Sequence, residues 1–316
     1  MKKPRWKVLV SAPYMQPVID RFRPVFARHR IELIVPNVRE RLSETALLGL
    51  IADIDGVICG DDRFTAKVLG AAKKLKVISK WGTGIDSIDR QAAGKLGIAV
   101  HNTPNAFTDP VADTVLAYIL SFARQVPWAA KNMRSGKWEK RKGSSLKEKT
   151  LGVIGLGNIG QAVVRRALAF GMTVIGNDIK PMPASFLKKT GVRMLTKAQL
   201  LKKADFVSLN CDLNPSSFHL MGQKEFALMK PTAYLINTAR GPIVEEAALV
   251  KALGKGQITG AALDVYEEEP LSRQSPLRKM EHCLLSAHDA NSSPSAWEYV
   301  HQNTINNLLK VLHERG

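Results

Sequence analysis

Leu151-Gly152-Val153-Ile154-Gly155-Leu156-Gly157-Asn158-Ile159-Gly160 sets three glycines in a G-x-G-x-x-G spacing, directly behind an apolar run and directly ahead of a helical one. The spacing alone is weak evidence; a strand before it and a helix after it make it specific. Gly155 permits the tight turn and Gly157 lets the backbone approach a pyrophosphate. Gly160 lets the helix lie close against the strand, with the phosphates facing the helix N-terminus. The next apolar run closes with Val174-Ile175-Gly176-Asn177-Asp178. Asp178, 18 residues past Gly160, stands where a carboxylate binds the adenosine ribose hydroxyls, and its charge repels a 2′-phosphate. NAD is expected as the cofactor, in preference to NADP.

Outward from this motif the pattern repeats in both directions. Short apolar runs at residues 8–12, 32–35, 56–59, 77–81 and 99–102 read as strands, as do 150–154, 173–177, 206–210, 233–238, 260–265 and 283–286. Helical stretches separate them: Ser43 caps one, Ser87 precedes another that Gly97 ends, and a longer one covers residues 108–124. Residues 294–312 carry Trp297, Val300, Ile305, Leu308 and Leu312 at near-helical spacing, a terminal amphipathic helix. Strands alternating with helices imply parallel, doubly wound α/β sheets. At 316 residues and 45% hydrophobic content the chain is long enough for two cores, since single cores stop growing near about 250–300 residues.

Charge and cysteine usage narrow the classes. Lys and Arg number 46 against 28 Asp and Glu, a formal +18, which suits nucleic acid, a membrane surface or small anions. The densest basic stretch, residues 131–149, holds Gly136, Gly143, Ser144 and Ser145 without sustained helical periodicity. It reads as a solvated connector with no nucleic-acid motif. No run reaches about 18 apolar residues, and Val8-Leu9-Val10 is too short for a signal-peptide core, so a cytoplasmic protein without a membrane partner is expected. Cys59, Cys211 and Cys283 lie far apart with no CxxC and no His at zinc spacing. They signal neither disulfides nor a metal and read as small buried hydrophobes.

Three polar residues follow later strands, at the carboxyl ends that line the crevice of an open α/β sheet. Arg240 stands in Asn237-Thr238-Ala239-Arg240-Gly241, Glu269 closes Glu267-Glu268-Glu269, and His288 follows Cys283-Leu284-Leu285-Ser286-Ala287. Singly, each has a bland reading: a surface ion pair, a solvated carboxylate, an incidental imidazole. Together they form the set that reduction of a 2-oxo acid requires. Arg holds the carboxylate, His protonates the forming alkoxide, and Glu orients the His and favours its charged form.

At these residues, and over nearly the whole chain, the sequence resembles the D-isomer-specific 2-hydroxyacid dehydrogenase family. The resemblance implies a flavodoxin-like substrate domain (residues 1–101 plus 288–316) and a Rossmann NAD-binding domain (102–287), with Arg240, Glu269 and His288 at the catalytic positions. Lys80-Trp81-Gly82-Thr83-Gly84-Ile85-Asp86 is similar to the family's substrate loop, so the amides of Gly82, Thr83 and Gly84, with Arg240, are expected to meet the substrate carboxylate. By the same match Gly155, Gly157, Asn158, Ile159, Gly160, Asp178, Cys211, Thr238, Ala239, Arg240 and Asp264 are expected cofactor contacts. The implied reaction passes a hydride between nicotinamide and C2 of a small, anionic D-2-hydroxy or 2-oxo acid, in a homodimer.

Within the family, Gly82-Thr83-Gly84, Ala123-Arg124-Gln125-Val126-Pro127 and Gly136-Lys137-Trp138 most resemble the short-type D-3-phosphoglycerate dehydrogenases, and no regulatory domain is expected beyond Gly316. Three stretches depart from that pattern: Gly60-Asp61-Asp62-Arg63 in place of a more basic loop, Asn210-Cys211-Asp212-Leu213 in place of His-x-Pro-Leu, and Ala287 where a Pro usually precedes the His. These bear on the distal substrate contacts and make glyoxylate or hydroxypyruvate reduction the alternative. An NAD-sensing corepressor on the same fold is the alternative from another class; the intact Arg, Glu and His set argues against it.

Overall fold

The computed structural model describes residues 4–315. The chain divides into two compact units, Met1–Phe107 with Ser293–Gly316, and Thr108–Ser292. These boundaries fall six residues past the expected 101 and five past the expected 287, so His288 lies in the second unit. Residues 1–3 and 316 of the expected substrate domain lie outside the described residues.

The first unit holds β1 (Trp6–Val10), β2 (Ile31–Ile34), β3 (Gly56–Cys59), β4 (Val77–Lys80) and β5 (Ala99–His101), paired in the order β2-β1-β3-β4-β5. Every pairing is parallel. The order reverses direction between β1 and β3, as in a doubly wound flavodoxin-like sheet. β3 and β4 are buried along their whole length, because helices cover both faces. The terminal helix Pro294–Glu314 returns to this sheet, where Thr304 O accepts the Ser79 hydroxyl at 2.8 Å. Gly56 is needed beneath it: a Cβ there would stand 2.7 Å from Leu308. Ser43 caps the helix Glu44–Leu50 through the Ala46 N–H, as its position implied. Ser87 precedes the helix Arg90–Lys95, whose cap is Asp89. Ser87 lies in a turn, with Ile88 N–H donating to Ile85 O at 3.2 Å, Ile88 then bridges Phe64 in parallel, and the helix starts only afterwards.

The second unit holds β6 (Thr150–Ile154), β7 (Thr173–Asn177), β8 (Arg193–Met194), β9 (Phe206–Leu209), β10 (Tyr234–Asn237), β11 (Gly260–Leu263) and β12 (Cys283–Leu285), in the order β12-β11-β10-β9-β6-β7-β8. All pairings are again parallel. Counting from β6, this is the Rossmann order 3-2-1-4-5-6 with one strand added at the far edge. The reversal lies between β6 and β9, which sets the ligand crevice at the end of β6. The two-residue β8 has no apolar run and was not expected from the sequence. Several strands end a residue or two sooner than their apolar runs do. Asn210, Thr238, Asp264 and Ser286 therefore sit just past the ladder, free to turn into loops.

Helix Thr108–Arg124 follows its expected span and packs on helix Asn158–Ala169, where Arg166 reaches Asp109 and Asp113 at 2.9 and 2.6 Å. The basic connector is only partly a loop. A helix, Val126–Arg134, with Trp128 and Asn132 buried, takes its first residues, and solvent exposure runs from Met133 to Gly143. Cys59 is buried, whereas Cys211 and Cys283 are half-buried, and all three are free. Among the described residues, no helix is long and apolar enough to cross a membrane.

Candidate active site

At the carboxyl end of β6 the three glycines meet different surroundings. Gly155 has φ +88, and a Cβ there would lie 2.5 Å from the Cys211 amide nitrogen. Gly160 has no room for a side chain because the Gly155 carbonyl lies against it. Gly157, the N-cap of helix Asn158–Ala169, faces open space: a Cβ would meet nothing within 4 Å, and no side chain caps the helix. Its first-turn N–H groups are thus directed at an accessible surface, with exposed Asn158 and half-buried Ile159 beside it. Asp178 holds this loop, accepting the Leu156 N–H at 2.6 Å and the Lys180 N–H at 2.8 Å. A carboxylate has about four acceptor positions, so two remain for hydroxyl donors. Thr238 supplies a buried hydroxyl oxygen with no hydrogen-bond partner among the described residues. The open Gly157 cradle and the unpaired Thr238 hydroxyl fit a dinucleotide. Burial pushes the Cys211 thiol up to about 11, so it stays neutral.

The β10 loop is fixed by a residue that sequence reasoning passed over. The side chain of Asn237, 1% exposed, accepts the Ala239 N–H at 3.1 Å and donates to the Arg240 carbonyl at 2.9 Å. Arg240 Nη1 donates to the Ala239 carbonyl, also at 2.9 Å. Gly241 follows at a point where the backbone carbonyl of Tyr266 occupies the place of a Cβ, so the β10 and β11 loops touch main chain to main chain.

From the β11 loop, Glu269 accepts the Tyr266 N–H at Oε1, 3.0 Å, and engages His288 Nδ1 at Oε2, 2.9 Å. Both side chains are mostly covered, with 15% and 22% of their surface exposed. A carboxylate on Nδ1 holds a proton there and leaves Nε2 as the ring nitrogen for proton exchange with a ligand. His288 itself has φ +54, a left-handed backbone that a non-glycine residue adopts only where its surroundings impose it.

Asp264, 1% exposed, imposes it. Its carbonyl accepts the His288 N–H at 2.8 Å, and its carboxylate accepts Asp289 N–H, Ala290 N–H and the Ser286 hydroxyl at 2.9, 3.0 and 2.5 Å. Ser286 is met in turn by the Tyr118 hydroxyl at 2.6 Å, and its carbonyl accepts the Tyr266 hydroxyl at 2.7 Å. These bonds are the reason the loop after β12 belongs to the second unit. Asp264 was expected as a cofactor contact; its carboxylate bonds here run to the loop that carries His288. Burial raises its pKa and lifts the Tyr118 hydroxyl to about 12. The parts of this network that the sequence concealed, Tyr118, Ser286 and Tyr266, lie far apart in the chain and belong to no motif.

In the first unit, the stretch expected as the substrate loop is shaped by Gly82 at φ +126. Thr103 N–H donates to Gly82 O at 2.9 Å, Thr83 Oγ1 to Thr103 O at 3.2 Å, and Asn102 Nδ2 to Thr83 O at 2.5 Å. Lys80, 4% exposed, ends β4 beside it and pairs with Asp61 at 3.0 Å.

Comparison with known proteins gives the family. The model of the D-isomer specific 2-hydroxyacid dehydrogenase NAD binding domain matches residues 116–290. A D-3-phosphoglycerate dehydrogenase of Methanocaldococcus jannaschii is 40% identical over 87% of this chain, which spans only 53% of that protein's length. A glyoxylate reductase of Thermofilum pendens is 39% identical over 85% of this chain and 82% of its own. A crystal structure of a Thermus thermophilus protein matches with a TM-score of 0.85 at 36% identity, covering 98% of this chain and 97% of that one. The chain belongs to the D-isomer specific 2-hydroxyacid dehydrogenase family. Its class is NAD-dependent oxidoreductase.

Proposed function

We propose that the protein interconverts a small D-2-hydroxy acid and its 2-oxo acid, with Arg240, Glu269 and His288 as the catalytic set. The observation that carries this reading is the 2.9 Å contact between Glu269 Oε2 and His288 Nδ1, at the same carboxyl end of the parallel sheet as the Arg240 loop. Bound NAD supplies the hydride acceptor for oxidation and, reduced, the donor for reduction. Gly155, Gly157, Asn158, Ile159, Gly160, Asp178, Cys211, Thr238, Ala239, Arg240 and Asp264 belong to its proposed binding surface. Arg240 holds the substrate carboxylate with its planar fork, aided by the amides of Gly82, Thr83 and Gly84. In reduction, His288 gives its Nε2 proton to the oxygen on C2; in oxidation it takes that proton back. Glu269 keeps the proton on Nδ1 and stabilises the imidazolium.

For the acid itself, the loop motifs and the Methanocaldococcus relative favour D-3-phosphoglycerate and its 2-oxo partner. A second reading, glyoxylate or hydroxypyruvate reduction, is favoured by Asp61, which neutralises the buried Lys80 ammonium next to Gly82. A cytoplasmic homodimer goes with either. Steady-state kinetics on 2-oxo acids with and without a phosphate, using NADH and NADPH, test the reading. Turnover with NADH and its collapse in His288→Ala, with NADH affinity retained, are expected; near-normal turnover in His288→Ala overturns the assignment.

A further inference from the structure

We propose that His219 is a positioning residue that ties the segments carrying Arg240 and Glu269 into one rigid body; this rests on the roles proposed above for those two residues. His219 lies after β9, outside every motif. Its backbone has φ +49, a conformation that glycine adopts readily and other residues resist. An imidazole placed there must therefore do something that glycine cannot.

Its two ends hold different loops. The His219 N–H donates to Pro242 O at 2.8 Å, two residues past Arg240, and the connection continues through Met221 N–H to Ile243 O and Glu245 N–H to Met221 O, both 3.0 Å. The side chain reaches the other way: Nε2 meets Glu267 Oε1 at 2.6 Å, two residues before Glu269. Between these anchor points the two loops already touch, since the Tyr266 carbonyl fills the space where Gly241 would carry a Cβ. Phe218 stacks on the imidazole with ring centroids 4.0 Å apart and planes 18° apart, which fixes the ring's direction. Phe218 is 57% exposed, so this stacking adds little to the core and its effect falls on the imidazole. Three loops, after β9, β10 and β11, thus meet at one residue, the β10 loop at its backbone and the β11 loop at its side chain. Catalytic groups held on separate loops depend on such ties, because a displacement of about 1 Å can cost up to 10²-fold in rate.

The test uses the whole chain with NADH and the best 2-oxo acid of the panel. His219→Gly suits the local backbone, so the fold is retained while the tie is cut. Its kcat is expected to fall about tenfold with NADH affinity and Tm nearly unchanged. His219→Gln, which still offers a donor to Glu267, should recover most of that loss, and Glu267→Ala should reproduce it. The double variant His219→Gly with Glu267→Ala should be no worse than either single change, since both cut the same tie. His288→Gln, assayed in parallel, reports on the site itself: if it stays active, the catalytic reading fails and this inference with it. An inactive His288→Gln beside a His219→Gly of wild-type kcat overturns the positioning role alone, as do losses in the two single variants that add in the double.

Discussion

Glu269 grips His288 and its own loop at once: Oε2 lies 2.9 Å from Nδ1 of the imidazole, while Oε1 takes the Tyr266 N–H at 3.0 Å. The carboxylate thus has a fixed direction before it meets the ring. Glu269→Gln keeps the size and one acceptor but removes the charge that stabilises an imidazolium. Its kcat should fall about 10²-fold or more, while the NADH dissociation constant stays nearly unchanged. Fluorescence titration with NADH beside steady-state assays separates the two quantities. A variant with wild-type kcat excludes Glu269 from proton transfer.

Two glycines of the β6 turn should part company under the same substitution. Gly160→Ala pushes a methyl into the Gly155 carbonyl, and overpacking of this kind should lower Tm by about 3–10 °C. Gly157→Ala meets open space, so Tm should hold within about 1 °C while NADH affinity falls about tenfold if, as proposed, the pyrophosphate comes close there. Thermal melts and NADH titrations on both variants decide it. Unchanged NADH affinity in Gly157→Ala would move the cofactor away from this turn.

These two cases also mark how far the sequence could be read. The β6 motif was readable because its glycines keep a fixed spacing between an apolar strand and a helix, and Asp178 directly follows the next strand. The strand runs were readable because parallel strands buried on both faces are continuous apolar stretches. Arg240, Glu269 and His288 could be picked out by their place after such runs. The loop that holds His288 could not. It depends on Asp264, Ser286 and Tyr118, whose bonds span up to 168 positions and have no periodicity. The Asp89 cap was hidden for a similar reason, since a tertiary bridge between Phe64 and Ile88 delays the helix start.

Asp61 offers a direct probe of the acid. It neutralises Lys80, whose ammonium is 4% exposed and lies beside Gly82. In Asp61→Asn the ammonium loses a carboxylate partner and attracts a second negative charge on the substrate. kcat/KM for 3-phosphohydroxypyruvate relative to glyoxylate should then rise by about three- to tenfold. Both assays run on the same preparation, so a general loss of stability leaves the ratio unmoved. A constant ratio shows that Lys80 does not sense the distal group.

His301 should give the first unit a stability that weakens in mild acid. Trp81 Nε1 donates to His301 Nδ1 at 2.9 Å, which requires a neutral acceptor nitrogen. Burial lowers the pKa of His301 below its ordinary 6.5; Glu298 opposes this shift and Arg21 adds to it. A histidine with a lowered folded pKa binds its proton more readily when unfolded. Its contribution is therefore fully present above pH 6.5 and is lost as pH falls toward the folded value. Tm should fall between pH 7.5 and 5.5 by about 2 °C more in the wild type than in His301→Gln. His29 is shifted in the same direction by burial beside His313 and Arg28, so some slope remains in the variant. Melts of both proteins across that range provide the measurement, and parallel slopes would exclude His301 as the source of the acid sensitivity.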